Sequence, residues 1–200
     1  MGARSDSLAN GDSGRTAFAL VCAAVVAAAA LATLFVVSGR SDTASPGSDL
    51  TVQSNSLIAA GAARYAAGDR QTAGRMFAAA LVLQPGNARA NYDLGTVRQA
   101  QGNVEAAKYS YRKALSTSPN FTEAIFNLAI ADAATGNKAL AIANYRRVLV
   151  LQPSNAAAMW NLGILLHGAG QTVAGLQLMK RATAIDPALR SRTPANVRLG

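Results

Sequence analysis

Cysteine and histidine are nearly absent: Cys22 and His167 are the only ones in the 200-residue chain. A lone cysteine excludes an intrachain disulfide framework and a cysteine-built zinc site, and a lone histidine excludes a His-pair metal site. Aromatic residues make up 6% and charged residues 14% of the chain, which argues against a disordered acidic or basic tail protein. No carboxylate or cysteine of its own neighbourhood stands at triad or metal spacing from His167, and no glycine-rich loop is built to cradle phosphate. The sequence therefore predicts a protein that is not an enzyme and has no metal and no cofactor. What is plentiful is alanine, at 45 positions. Alanine is the best helix former and lets helix axes approach closely. With half of its residues apolar, the chain can bury the core of one domain of about 150 residues.

Between Arg15 and Arg40 lie 24 uncharged residues, Thr16 to Gly39, among them Phe18, Leu20, Val21, Val25, Val26, Leu31, Leu34 and Phe35. As a helix this run reaches about 36 Å, enough to cross a hydrocarbon core of about 30 Å. A cleaved signal peptide is the rival reading, but its apolar region is normally only ~7–15 residues. The Ala30/Ala32 cleavage candidate also lies inside the run, ahead of Thr33–Val37. The expectation is an uncleaved transmembrane helix over 16–39, a short cytoplasmic segment over 1–15 and a flexible linker over 40–53 containing Pro46 and Gly47. Arg4 and Arg15 flank one side of the run and only Arg40 the other. The positive-inside tendency then places the N-terminus inside and the C-terminal bulk outside the cytoplasm, and the Ala-, Gly- and Arg-rich composition points to a bacterial inner membrane.

The rest of the chain keeps a 34-residue period. Pro85, Pro119, Pro153 and Pro187 are each 34 residues after the last, and so are Gly68, Gly102, Gly136 and Gly170. Small residues recur at Gly61, Gly95, Ala129 and Gly163, and at Ala73, Ala107, Ala141 and Gly175. Large ones recur at Phe77, Tyr111, Tyr145 and Met179. Each period reads as two helices: an apolar stripe such as Ile125-Leu128-Ala129, a glycine that ends the helix, a second helix burying residues such as Ala107, Tyr111 and Ala114, and a proline that stops it. This gives four units, at 54–87, 88–121, 122–155 and 156–189, with a basic tail at 190–200.

The stretch Ala124-Ile125-Phe126-Asn127-Leu128-Ala129, with Gly136-Asn137, Ala141, Tyr145 and Pro153, resembles the tetratricopeptide repeat family. The resemblance implies an all-α fold, a right-handed superhelical solenoid of four helix-turn-helix units, which the transmembrane helix expected from the uncharged run would precede. It implies an interaction scaffold, and it is nearly silent on which process is served. The first unit departs from the family pattern at Ala60 and Arg64, which predicts a loosely packed first helix. Arg98 and Asp132 stand in the usual aromatic column on neighbouring helices, where a pair between them would contribute little if exposed. Thr183 replaces Leu81, Leu115 and Leu149 on the face toward the following unit, as a terminal repeat requires. The tail is expected to be a poor cap.

Two surfaces are candidates for binding. The resemblance implies a concave groove lined by the first helix of each unit, occupied by a protein or an extended peptide. Its residues would be Tyr92, Asp93 and Thr96 in the second unit, Phe126, Asn127 and Ile130 in the third, and Trp160, Asn161, Ile164 and His167 in the fourth. The competing reading of the aromatic column Tyr92, Phe126 and Trp160 is packing between neighbours. The second surface is a basic ridge, Arg112-Lys113, Arg146-Arg147 and Lys180-Arg181, repeating with the period in a region, 54–200, of net charge +10. It reads either as a solvated face or as a contact for anionic lipid or an acidic protein; nucleic acid is not expected. The sequence thus predicts a membrane-anchored interaction scaffold in assembly or secretion of an envelope complex. The alternative is an accessory subunit built permanently into a membrane complex.

Overall fold

The computed structural model describes residues 46–194 and Val197. The expected transmembrane helix at 16–39 and the segment 1–15 lie outside the described residues. Among the described residues no helix is long and apolar enough to cross a membrane. The described part is helical throughout: α1 (Pro46–Ala66), α2 (Arg70–Leu83), α3 (Ala88–Ala100), α4 (Val104–Thr117), α5 (Thr122–Ala134), α6 (Lys138–Leu151), α7 (Ala156–Gly168) and α8 (Thr172–Ile185), then a 3₁₀ segment, Pro187–Arg192. Each helix packs on the one before and the one after, so neighbours in sequence are neighbours in space.

Turns of three and four residues alternate along the chain and fold successive helices back on one another. The shorter turns are built around the periodic glycines, whose φ lies at +79° to +82°. After α3, the Gly102 amide donates to the Gln99 carbonyl and the Asn103 amide to the Arg98 carbonyl, which closes the helix with a left-handed residue that only glycine adopts without strain. Side-chain oxygens of Asp69, Asn87, Asn103 and Asn155 accept from the amides of Thr72, Ala90, Ala106 and Ala158 and cap the next helix in each case. The prolines sit in the longer turns, just past the ends of α2, α4 and α6.

Within each unit the small residue of the first helix lies under the large one of the second. A Cβ built on Gly95 would come within 2.5 Å of the Tyr111 ring, and one on Gly61 within 2.7 Å of Phe77. That close approach corrects the expectation of a loose first unit: α1 is seated on Phe77, with Ile58 and Tyr65 beside it. A second correction concerns the linker. Residues 46–53 are helical and begin α1, where the Gln84 side chain donates to Thr51 Oγ1 and the buried Ser54 hydroxyl donates to the Ala80 carbonyl.

Arg98 and Asp132 do not pair. Arg98 donates to Ser110 Oγ at 2.6 Å, while Asp132 forms a buried ion pair with Lys108 at 3.1 Å. Thr183 is buried, with its hydroxyl donating to the Lys180 carbonyl. The tail is a better cap than its sequence suggests: Leu189 and Val197 close over Met159, Trp160, Met179 and Ala182.

Candidate functional site

Two open hollows lie along the first helices α3, α5 and α7. One, of about 240 Å³, is lined by Tyr92, Thr122, Glu123, Phe126, Asn127, Gln152, Asn155 and Ala157. The other, of about 360 Å³, is lined by Ile130, Ala133, Tyr145, Asn161, Ile164 and Leu165. Six of the residues singled out in the sequence are thus brought to concave surfaces: Tyr92, Phe126 and Asn127 in the first, Ile130, Asn161 and Ile164 in the second.

The walls are held by aromatic contacts and amide hydrogen bonds. The Tyr92 ring lies 4.9 Å from Phe121 and 6.0 Å from Tyr111, and Phe126 meets Tyr145 edge-on at 5.6 Å. The Asn127 amide donates to the Tyr92 hydroxyl at 3.3 Å, and the Asn161 amide to the Tyr145 hydroxyl at 3.2 Å. Burial pushes the phenols of Tyr111 and Tyr145 up to about 12, so both remain protonated across the physiological range. Tyr111 uses its proton to donate to Gln99 at 2.8 Å. Burial raises the Tyr92 phenol as well.

Four of the named residues line neither hollow. Trp160 is only 3% exposed and belongs to the terminal core with Leu189 and Met179; its place in the period is that of Tyr92 and Phe126, but the capping tail covers it. Asp93 is buried and accepts from Arg89 Nε at 2.8 Å; burial pushes its carboxyl up, with the Arg89 hydrogen bond opposing. Thr96 turns its hydroxyl back to the Tyr92 carbonyl. His167 is half-buried and lies against Gly175 on the following helix. Conversely, Glu123, Gln152, Asn155 and Tyr145 line the hollows. Gln152 and Asn155 escape a search confined to first helices because they lie at the turn between units, and Tyr145 because it belongs to a second helix.

All six ridge cations are exposed on α4, α6 and α8. Arg147 donates to the Pro119 carbonyl, Arg112 lies 3.9 Å from Asp132, and the Lys113 ammonium lies 5.8 Å from the Tyr109 ring. Among the described residues no group of three or more His, Cys, Asp or Glu side chains is placed to hold a metal ion.

Comparison with known proteins agrees with this geometry. No curated protein matches the chain in sequence. Among solved structures, MamA superposes with a TM-score of 0.64 at 19% identity, covering 70% of this chain and 81% of its own. YrrB, described as a TPR protein with an unusual peptide-binding site, gives 0.61 at 24% identity over 70% of this chain and 74% of its own. The pilF protein of Pseudomonas aeruginosa gives 0.62 at 18% over 70% and 64%. At these identities the likeness is one of fold. The tetratricopeptide repeat family model matches residues 58–120 and 126–189, two units at a time. Proteins of this kind bind protein or peptide partners and are generally scaffolds without catalysis. The repeated helix pairs, their glycine-closed turns and the two family matches together mean that this chain belongs to the tetratricopeptide repeat family.

Proposed function

We propose that the chain is a membrane-anchored scaffold holding an extended segment of a partner protein in the two hollows, in the assembly or secretion of an envelope complex. The observation that carries the reading is the pair of hollows on one succession of first helices, each combining apolar walls with an asparagine. The amides of Asn127 and Asn161 spend a donor on a tyrosine hydroxyl and keep an oxygen that can accept from a peptide N–H. Phe126 and Tyr92 supply aromatic walls, as interface anchors commonly do. That YrrB, a neighbour in fold, is described as having a peptide-binding site supports the choice of occupant.

The test is a displayed-peptide selection against the full chain in detergent, followed by affinity measurements on variants. Ile130→Glu with Ile164→Glu, and separately Asn127→Ala, should weaken the selected peptides at least tenfold with helical content unchanged. Peptides that bind these variants as well as the parent would place the site elsewhere. The membrane arm is tested separately, by a phosphatase fused after Gly200 in a bacterial host. An active fusion supports repeats outside the cytoplasm, and an inactive one reverses the orientation.

A further inference from the structure

The six ridge cations are exposed on three consecutive second helices; Arg147 is engaged with the Pro119 carbonyl and Arg112 lies 3.9 Å from Asp132, and few other carboxylates oppose them. Of the six carboxylates in residues 54–200, Asp93 and Asp132 are buried in ion pairs, Glu105 faces Lys108, Asp69 caps α2, Glu123 lines the first hollow and Asp186 caps the 3₁₀ segment. The repeat region has a net charge of +10, so most of that charge meets solvent.

The doublets also share a position along the helices. Each occupies the C-terminal half of its helix, at Arg112-Lys113 in α4, Arg146-Arg147 in α6 and Lys180-Arg181 in α8. Because the paired helices run in opposite directions, this half lies toward the end of the stack at which first helices begin. Two contacts fix that end: Arg147 donates to the carbonyl of Pro119, just before α5, and Gln84, just after α2, donates to Thr51 in the opening turns of α1. The cations therefore gather toward the end at which the chain enters the repeats. The uncharged run ends at Gly39 and α1 begins at Pro46, leaving six residues, 40–45, with a reach of about 20 Å.

From this coincidence we infer that the ridge of α4, α6 and α8 rests on an anionic lipid surface. The uncharged run holds the repeats at the membrane, and the exposed arginines and lysines attract acidic headgroups within a Debye length of ~8–10 Å. The short tether keeps the local concentration of headgroups high without new protein contacts. None of the six ridge cations lines either hollow, so the ridge and the groove are separate sets of residues. The inference rests on the anchored reading above.

The experiment uses the full chain with Cys22→Ser and Ser116→Cys, an exposed site on α4 beside the first doublet, labelled with a polarity-sensitive dye. It is reconstituted in vesicles of phosphatidylcholine alone or mixed with phosphatidylglycerol. A blue shift in the mixed vesicles only, reversed in molar salt and lost in Lys113→Gln, Arg146→Gln, Lys180→Gln, Arg181→Gln, supports the inference. Arg147 is left intact because it bonds the Pro119 carbonyl, and restoring Lys or Arg at the four sites should restore the shift. Equal emission in both lipids overturns it, while flotation with neutral vesicles in high salt still upholds the anchor. If flotation with neutral vesicles fails, the anchor falls, and the ridge is then judged by salt-sensitive binding to mixed vesicles, whose absence overturns it too. A shift induced by polyglutamate but not by phosphatidylglycerol assigns the ridge to an acidic protein and also overturns it.

Discussion

Lys108 and Asp132 are among the few charged groups that the fold encloses, at 3% and 1% exposure, and they join the second unit to the third. The lysine also donates to Thr135 Oγ1 at 3.1 Å, and Asn144 donates to the second carboxylate oxygen at 3.3 Å. Removing one partner leaves the other charge buried with only a longer ion pair, Lys108 to Glu105 at 3.3 Å or Asp132 to Arg112 at 3.9 Å, and breaking a buried pair costs up to about 3–5 kcal/mol. Lys108→Met and Asp132→Leu should each lower stability in urea denaturation by up to that amount, and the double variant by less than the sum of the two. Asp69 gives a pH-dependent counterpart. The Thr72 amide that it caps holds its carboxyl below the ordinary carboxylate value. The folded state therefore favours the ionised form, and the contribution is present above the unfolded pKa and lost as pH falls through the folded one. The gap in melting temperature between the parent and Asp69→Ala should be widest at neutral pH and narrow in acid. A gap independent of pH would mean that the cap acts without its charge.

Helix pairs are set by how closely two backbones approach. In the last unit both small columns are glycine, and a Cβ on Gly163 would meet the Gly175 carbonyl at 2.8 Å and Met179 at 2.7 Å. Met179 can swing aside but the carbonyl cannot, so Gly163→Ala must push α7 from α8. Such overpacking costs about 1–3 kcal/mol and should appear as a lower urea midpoint. Gly168, at the end of α7, has nothing within 4 Å of its absent Cβ, so Gly168→Ala should be neutral or slightly stabilising. Equal losses in the two variants would show that helix spacing does not govern this unit. The same spacing argument accounts for how much of the groove was legible. Ile130 and Ile164 stand one turn beyond Phe126 and Trp160, and they reach the groove because the core beneath them is filled from α6 and α8.

The array is stabilised by each unit covering the next, so its last unit depends on the tail for cover. Leu189 and Val197 perform that service, and ending the chain at Asp186 would uncover Met159, Trp160 and Met179. The truncated chain should melt at a lower temperature and its single tryptophan should emit at longer wavelength. Unchanged emission would mean that the tail does not shield the ring. For the same reason Trp160→Ala should destabilise by about 3–5 kcal/mol, as the loss of a buried aromatic does. Ile164→Ala, on the half-buried groove wall, should cost less.

The 34-residue period carried the helix pairs, their glycine-closed turns and the seating of Tyr111 over Gly95, because these depend on residues close in sequence that recur in register. The groove positions Tyr92, Phe126, Asn127 and Ile130 were implied by the family resemblance and not by the period itself; in the structure they line the two hollows. Where the surroundings break the period, residues in one column part company. Trp160 has the sequence position of Phe126 but lies beneath a tail that belongs to no repeat, and Thr183 is enclosed where the pattern suggested an open end. Residues 46–53 carry no apolar period, yet they are helical because Ser54 and Thr51 bond to the end of α2. Asp132 met Lys108 rather than Arg98 because burial leaves a charge little choice, and the nearest ammonium lay across the junction between units. Local recurrence is written in the order of residues; the partners of an end, a tail or a buried charge come from parts of the chain that share no period with them.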